Sequence, residues 1–233
     1  MPKTGGTWLQ QVLVEQFQGQ VAGRGHCPVW DFPEATAPTF GVVRDPWSWY
    51  GSLYRFAVKA RRWDGIAYWG ASCEEEWAKK TRFRAFLYGL THPGDVPQFE
   101  PGSLGVVFEL VHRERFEKIL REERSGFCSF LASYMFGARE AAGHPRPRWQ
   151  VDAILDQANL QVQLGTLFGC QIAATKKDAF NKSEHVRTEF ESPRYVDWYD
   201  EEMFSWVAEA DGWYIQEFGF DAFGAAEHLP MLA

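Results

Sequence analysis

Apolar residues recur at helical spacing close to the start of the chain. Leu9, Val12, Leu13 and Phe17 fall on one face with Gln10, Gln11 and Gln18 between them, a period that predicts an amphipathic helix directly after Gly5-Gly6. A second pattern begins at Thr39. The run Thr39-Phe40-Gly41-Val42-Val43 ends in Arg44 and leads through Asp45-Pro46 into Trp47-Ser48-Trp49-Tyr50-Gly51-Ser52-Leu53-Tyr54, which predicts a buried strand, a turn and a helix. Leu104 to Leu110 fits either a strand or the opening of a helix that continues through Phe116, Ile119 and Leu120. Gly137 to Arg148, rich in Gly, Ala and Pro, predicts a surface loop. Asp152 to Asp156 then predicts a short strand, and Asn159 to Phe168 a helix with Leu160, Leu164, Leu167 and Phe168 on one face. After Tyr199-Asp200-Glu201-Glu202 comes a further helix carrying Met203, Phe204, Trp206, Val207 and Tyr214, and acidic residues in its first turn suit the positive end of the helix dipole.

Strands alternating with helices predict an α/β fold with a mainly parallel sheet flanked by helices. Composition is consistent with one domain over residues 1–233, since 45% hydrophobic residues can bury a substantial core. The net charge is −7, from 24 basic and 31 acidic residues, which argues against general affinity for nucleic acid or anionic membrane. No apolar run approaches the length of a membrane span, and the N-terminus reads as a functional loop and not as a signal peptide; a cytoplasmic location is the default expectation. Cys27, Cys73, Cys128 and Cys170 are far apart and form no C-x-x-C pair, so they are expected to be free thiols. Aromatic residues make up 16% of the chain, and Trp47, Trp49, Trp63, Trp69 and Trp77 fall in one stretch. These tryptophans suit either ordinary core packing or the lining of an apolar acceptor pocket.

The candidate chemistry starts at Pro2-Lys3-Thr4-Gly5-Gly6-Thr7-Trp8. Two glycines let the backbone turn tightly beside a ligand, and the amides that follow open a helix, where N–H donors and the helix dipole favour a phosphate or sulfate. Lys3 precedes the glycines, whereas a Walker A loop places its lysine after the last glycine and a hydroxyl residue next. An ATPase or GTPase is therefore disfavoured.

The string instead resembles the 5′-phosphosulfate loop of the sulfotransferases. The strand ends in a V-R-D-P motif that carries Arg44, and Ser52 follows eight residues later on the predicted helix, which is similar to the 3′-phosphate site of that family. A guanidinium fork grips phosphate oxygens in two places, and a serine hydroxyl completes the shell. Asn181-Lys182-Ser183-Glu184-His185-Val186-Arg187, before the acidic helix start and the closing Phe218-Gly219-Phe220, also resembles the segment that folds over the nucleotide in bacterial and Golgi-type members. Lys182 or Arg187 would then add a second cation.

The resemblance implies a P-loop-like sulfotransferase fold with 3′-phosphoadenosine 5′-phosphosulfate as co-substrate and no metal. It implies that Lys3 neutralises the bridging oxygen, that the amides of Gly5, Gly6, Thr7 and Trp8 hold the 5′-phosphate, and that the hydroxyls of Thr4 and Thr7 assist. His26, in His26-Cys27-Pro28, matches the context of the family's catalytic histidine, and histidine titrates in the right range; Asp31 or Glu34 are the alternative bases. The acceptor, a small molecule or glycan carrying a hydroxyl or amine, is left open. The family's loop follows a central strand, whereas only Met1 and Pro2 precede Lys3, so a truncated start lacking that strand is expected. Two other classes stay in view: a P-loop kinase, and a non-catalytic nucleotide-binding relative.

Overall fold

The computed structural model of the protein describes residues 6–19, 29, 38–60, 78–92, 126–137, 149–173 and 195–221. In chain order the elements are α1 (Gly6–Phe17), β1 (Phe40–Val43), α2 (Pro46–Ala60), α3 (Ala78–Thr91), α4 (Phe127–Phe136), β2 (Ala153–Asp156), α5 (Leu160–Phe168), a 3-10 turn (Tyr195–Trp198), α6 (Glu201–Ala210) and α7 (Gly212–Phe218). The described chain is mixed α/β, mostly helical, with a two-stranded parallel sheet. Two compact units make it up: Met1–Arg44, Leu131–His185 and Ala226–Ala233 form the first, Asp45–Phe130 and Val186–Ala225 the second.

In the first unit β1 and β2 pair in parallel, with Phe40 opposite Ala153 and Val43 opposite Asp156. Both strands are buried along nearly their whole length, which explains why they read as unbroken apolar runs and not as alternating ones. The amide of Asp152 donates to the Thr39 carbonyl at 2.9 Å before the ladder, and that of Gln157 to the Val43 carbonyl at 2.8 Å after it. The Asp152 carboxylate accepts from the Thr39 amide at 2.6 Å and from its hydroxyl at 3.1 Å, and these bonds hold Asp152 below the usual carboxylate range. Trp8 and Val12 of α1 pack with Val42, Leu155, Leu160, Leu164 and Ile172 in one buried cluster. Sequence periodicity places Leu9, Val12, Leu13 and Phe17 on the inner face of α1; the structure adds Trp8 to it.

Only half of the apolar face expected on α5 is buried. Leu160 and Leu164 lie in the core, while Leu167 and Phe168 are 38% and 41% exposed. Those two occupy the last turn, where Phe168 is met by the rings of Phe17, stacked at 4.4 Å, and Phe40, edge-on at 6.4 Å.

The second unit is helical. Asp45 caps α2: its carboxylate accepts from the Ser48 amide at 2.8 Å and from the Ser48 hydroxyl, while Pro46 occupies the first helical position, where no N–H is needed. Aromatic rings fill the interior. Phe83 of α3 meets Tyr54 at 5.3 Å, Trp198 at 5.6 Å and Tyr199 at 5.2 Å, and the Tyr199 hydroxyl donates to the Trp47 carbonyl at 2.7 Å. Trp47 and Trp49 are 5% and 0% exposed, so these two are core residues; Trp63, Trp69 and Trp77 lie outside the described residues.

A single helix was expected through Tyr214, and two are found. α6 ends at Ala210 and α7 begins at Gly212, with Asp211 shared between them. The side chain of Asp211 is drawn away from both helices toward the start of α4, and glycine at 212 adds no helix propensity to bridge the junction. Asp200 caps α6, its carboxylate accepting from the Met203 amide at 2.9 Å, and Glu201 and Glu202 follow in the first turn as the sequence predicts. No helix among the described residues is long and apolar enough to cross a membrane. Leu104–Leu110 and residues 138–148 of the expected loop lie outside the described residues.

Candidate functional site

Open parallel sheets present ligands at the carboxyl ends of their strands. In the first unit that edge is defined by Val43 and Asp156, the paired last residues of β1 and β2. α1 is anchored to this unit at both ends. Phe17, at its C-terminus, stacks on Phe168, which also meets Phe40 at the start of β1. Trp8, in its first turn, packs in the core with Val42 and Leu155 of the two strands.

The first amides of α1 belong to Gly6, Thr7 and Trp8, and helix geometry leaves such groups without an intrahelical acceptor. Gly6 is exposed, and a Cβ built there would meet nothing within 4 Å. Trp8 is different in role, since its ring is buried in the core. Of Thr7 only the backbone is described. Lys3, Thr4 and Gly5 lie outside the described residues, as do His26, Asp31, Glu34, Lys182 and Arg187.

Arg44 follows Val43 directly and is half-buried at the carboxyl end of β1. Its partner by sequence spacing, Ser52, belongs to the second unit, on α2, where it is 8% exposed beside Tyr50 and Leu53. Half of the Arg44–Ser52 segment thus has a plain folding role, since Asp45 and Pro46 start the helix and Trp47 and Trp49 fill the core.

Asp156 was not singled out by its sequence. It ends β2 at 2% exposure, opposite Val43, with its carboxylate accepting from the Ala158 amide at 3.1 Å and from Asn159 Nδ2 at 2.9 Å. Its own amide donates to Gln163 Oε1 at 2.7 Å. These bonds fix the turn from β2 into α5 at the candidate edge. The available signal was an apolar strand closing on an acid, Ala153-Ile154-Leu155-Asp156.

The second unit holds another buried acid, Asp211, at 0% exposure. It accepts from the Tyr50 hydroxyl at 2.7 Å and from the Ser129 amide at 2.7 Å, and the Cys128 amide donates to the Tyr50 oxygen at 3.1 Å. Burial pushes the Asp211 carboxyl up to about 6, held from rising further by the bonds from Ser129 and Tyr50. Burial, then the charge of Asp211, also raises the Tyr50 phenol and the Cys128 thiol well above their ordinary values. Nothing in the sequence marks Asp211, which sits in an ordinary-looking helical stretch. Among the described residues, no cluster of His, Cys, Asp and Glu is arranged to hold a metal ion.

The chain matches no known family model, no curated protein and no solved structure.

Proposed function

We propose that this protein is a sulfotransferase that moves a sulfuryl group from 3′-phosphoadenosine 5′-phosphosulfate to a hydroxyl or amine acceptor, on a P-loop-like sulfotransferase fold. One observation supports it above the others: a glycine-led helix packs against a parallel strand pair whose first strand is followed directly by an arginine. N–H groups and a guanidinium suit a ligand with two anionic ends. Gly6, where a Cβ would meet nothing within 4 Å, suits a group that must approach backbone closely.

In this proposal the amides of Gly5, Gly6, Thr7 and Trp8, with the hydroxyls of Thr4 and Thr7, hold the 5′-phosphate. Arg44 and Ser52 hold the 3′-phosphate, and Lys182 or Arg187 adds a second cation. His26 takes the proton of the attacking hydroxyl or amine, the new bond forms to sulfur, and Lys3 neutralises the bridging oxygen as its bond to sulfur breaks. Amides and cations thus carry the charge stabilisation.

Calorimetry with 3′,5′-adenosine bisphosphate and with 5′-adenosine monophosphate tests the assignment on the wild type and Arg44→Ala. A charge-assisted hydrogen bond contributes about 1.5–3 kcal/mol, so Arg44→Ala is expected to weaken the bisphosphate by roughly ten- to a hundredfold and leave the monophosphate nearly unchanged. Equal weakening of both would remove Arg44 from the 3′-phosphate. Magnesium-dependent ATP binding with no response to the bisphosphate would replace the sulfotransferase with a kinase.

A further inference from the structure

Two helix ends in the second unit satisfy one another. The amide of Gly126 donates to the Ala210 carbonyl, the last of α6, at 2.8 Å. In return the residue after Ala210, Asp211, places its carboxylate on the Ser129 amide in the first turn of α4. Tyr50 of α2 takes the neighbouring orphan amide, that of Cys128, on its hydroxyl oxygen and donates its own proton to Asp211. The donors at the start of α4 are therefore capped by two side chains distant in sequence, where helices ordinarily use the residue just ahead of the first turn. That residue is Gly126, and it must be small: a Cβ there would stand 2.5 Å from both carboxylate oxygens.

The cap carries a defect that a proton can repair. Asp211 is fully buried, and among the described residues it has no cation as partner. The Ser129 hydroxyl, buried beside the same carboxylate, is near enough to favour its charged form but accepts no hydrogen bond. A charged Asp211 thus stands against the positive end of α4 without a full counter-charge, and the Ser129 oxygen has nothing to accept. A protonated Asp211 has lost the buried charge and has a donor to offer that oxygen, while the Ser129 amide and Tyr50 hydroxyl still find an acceptor. Among the described residues, the titratable groups facing it are the Tyr50 phenol from α2 and the Cys128 thiol from α4, with Tyr214 of α7 and Asp45 also close enough to act on the thiol. Each of these is neutral or negative, so none compensates the carboxylate.

We propose that the reciprocal cap between α4 and the α6–α7 junction is a proton-controlled latch, tight when Asp211 is protonated and weakened when it is ionised. The direction follows from linkage. Between the ordinary value of 3.8 and about 6 the folded protein keeps a proton that the unfolded chain has released, so stability falls as pH rises through that window and levels off above it. The full shift corresponds to roughly a hundredfold change in the folding constant, of which more than tenfold falls between about pH 4.5 and 6.5.

Urea unfolding of the full chain across that range, for the wild type, Asp211→Asn and Tyr50→Phe, provides the test. Asp211→Asn keeps the shape of the carboxyl and its neutral state, so the ratio of wild-type to variant folding constants is expected to drop more than tenfold from pH 4.5 to 6.5. Tyr50→Phe removes a donor that favours the anion and is expected to move the levelling-off point to higher pH. Parallel pH profiles for the wild type and Asp211→Asn would overturn the latch, as would a levelling-off point unmoved by Tyr50→Phe. Should Asp211→Asn fail to fold, the Tyr50→Phe shift decides by itself, because a merely structural phenol would lower stability equally at every pH.

Discussion

Gly51 lies at the centre of α2, one residue before Ser52 in the segment assigned to the 3′-phosphate, and its replacement by alanine tests its packing role. A Cβ built at Gly51 would stand 2.6 Å from Tyr195 Cδ1 and 2.8 Å from its Cβ and Cγ. Carbon atoms pack at about 3.5–4.0 Å, so the tyrosine would have to retreat by roughly 1 Å. It is poorly placed to do so. Tyr195 packs edge-on against Trp198 at 4.9 Å, and Trp198, 2% exposed, is in turn held by Phe83. Overpacking of this kind costs about 1–3 kcal/mol, and a clash that includes Tyr195 Cβ, fixed to the backbone, belongs at the upper end. Against it stands the gain of about 1 kcal/mol from replacing a helical glycine by alanine. The clash wins by about 2 kcal/mol. Equilibrium urea unfolding followed by tryptophan fluorescence measures the difference directly. Tyr195→Ala on its own and combined with Gly51→Ala completes a double-mutant cycle, in which the added methyl should be far less harmful once the ring is gone. A Gly51→Ala protein as stable as the wild type, or one with no coupling to position 195, would refute the packing account.

Two further outcomes are expected. Asp200→Ala removes the cap of α6 and one contact of Arg84, which pairs with Asp200 at 3.0 Å and also with Glu202; about 1 kcal/mol of stability should be lost in urea unfolding, nearly all of it from the cap because the ion pair is half-exposed. Brief alkylation of the native protein, mapped by peptide mass spectrometry, should modify Cys170, which is exposed, and spare Cys128, which is buried with a raised thiol, until denaturant is added; early labelling of Cys128 would show that the start of α4 opens readily.

Much of the fold was legible because its signals are short-range. The helical period from Leu9 to Phe17, the apolar runs that became β1 and β2, and the Asp45-Pro46 start of α2 each depend on residues within a few positions of one another. Of the candidate site, the positions of two residues were legible in the same way. Gly6 at the head of α1 and Arg44 at the end of β1 are local punctuation, a glycine before a helix and a cation after a strand. The chemistry attached to them comes from the order of residues in those segments.

What the sequence could not supply depends on contacts across long separations. Tyr50 and Asp211 are 161 residues apart, Ser129 and Asp211 82, yet together they cap a helix and bury a carboxyl. Asp211 looks like any polar residue near a helix end until Gly126 makes room for it. Periodicity likewise places Leu167 and Phe168 with Leu160 and Leu164, but burial depends on what lies opposite, and the last turn of α5 is met by two rings where the earlier turns meet the core. By itself the sequence determined α1, β1, β2, α5 and the starts of α2 and α6, because backbone preference and side-chain period act locally; α3, α4 and the break between α6 and α7 it did not. Tertiary structure alone decided which acids are buried and which glycines are required, because those are properties of pairs of surfaces and not of either segment.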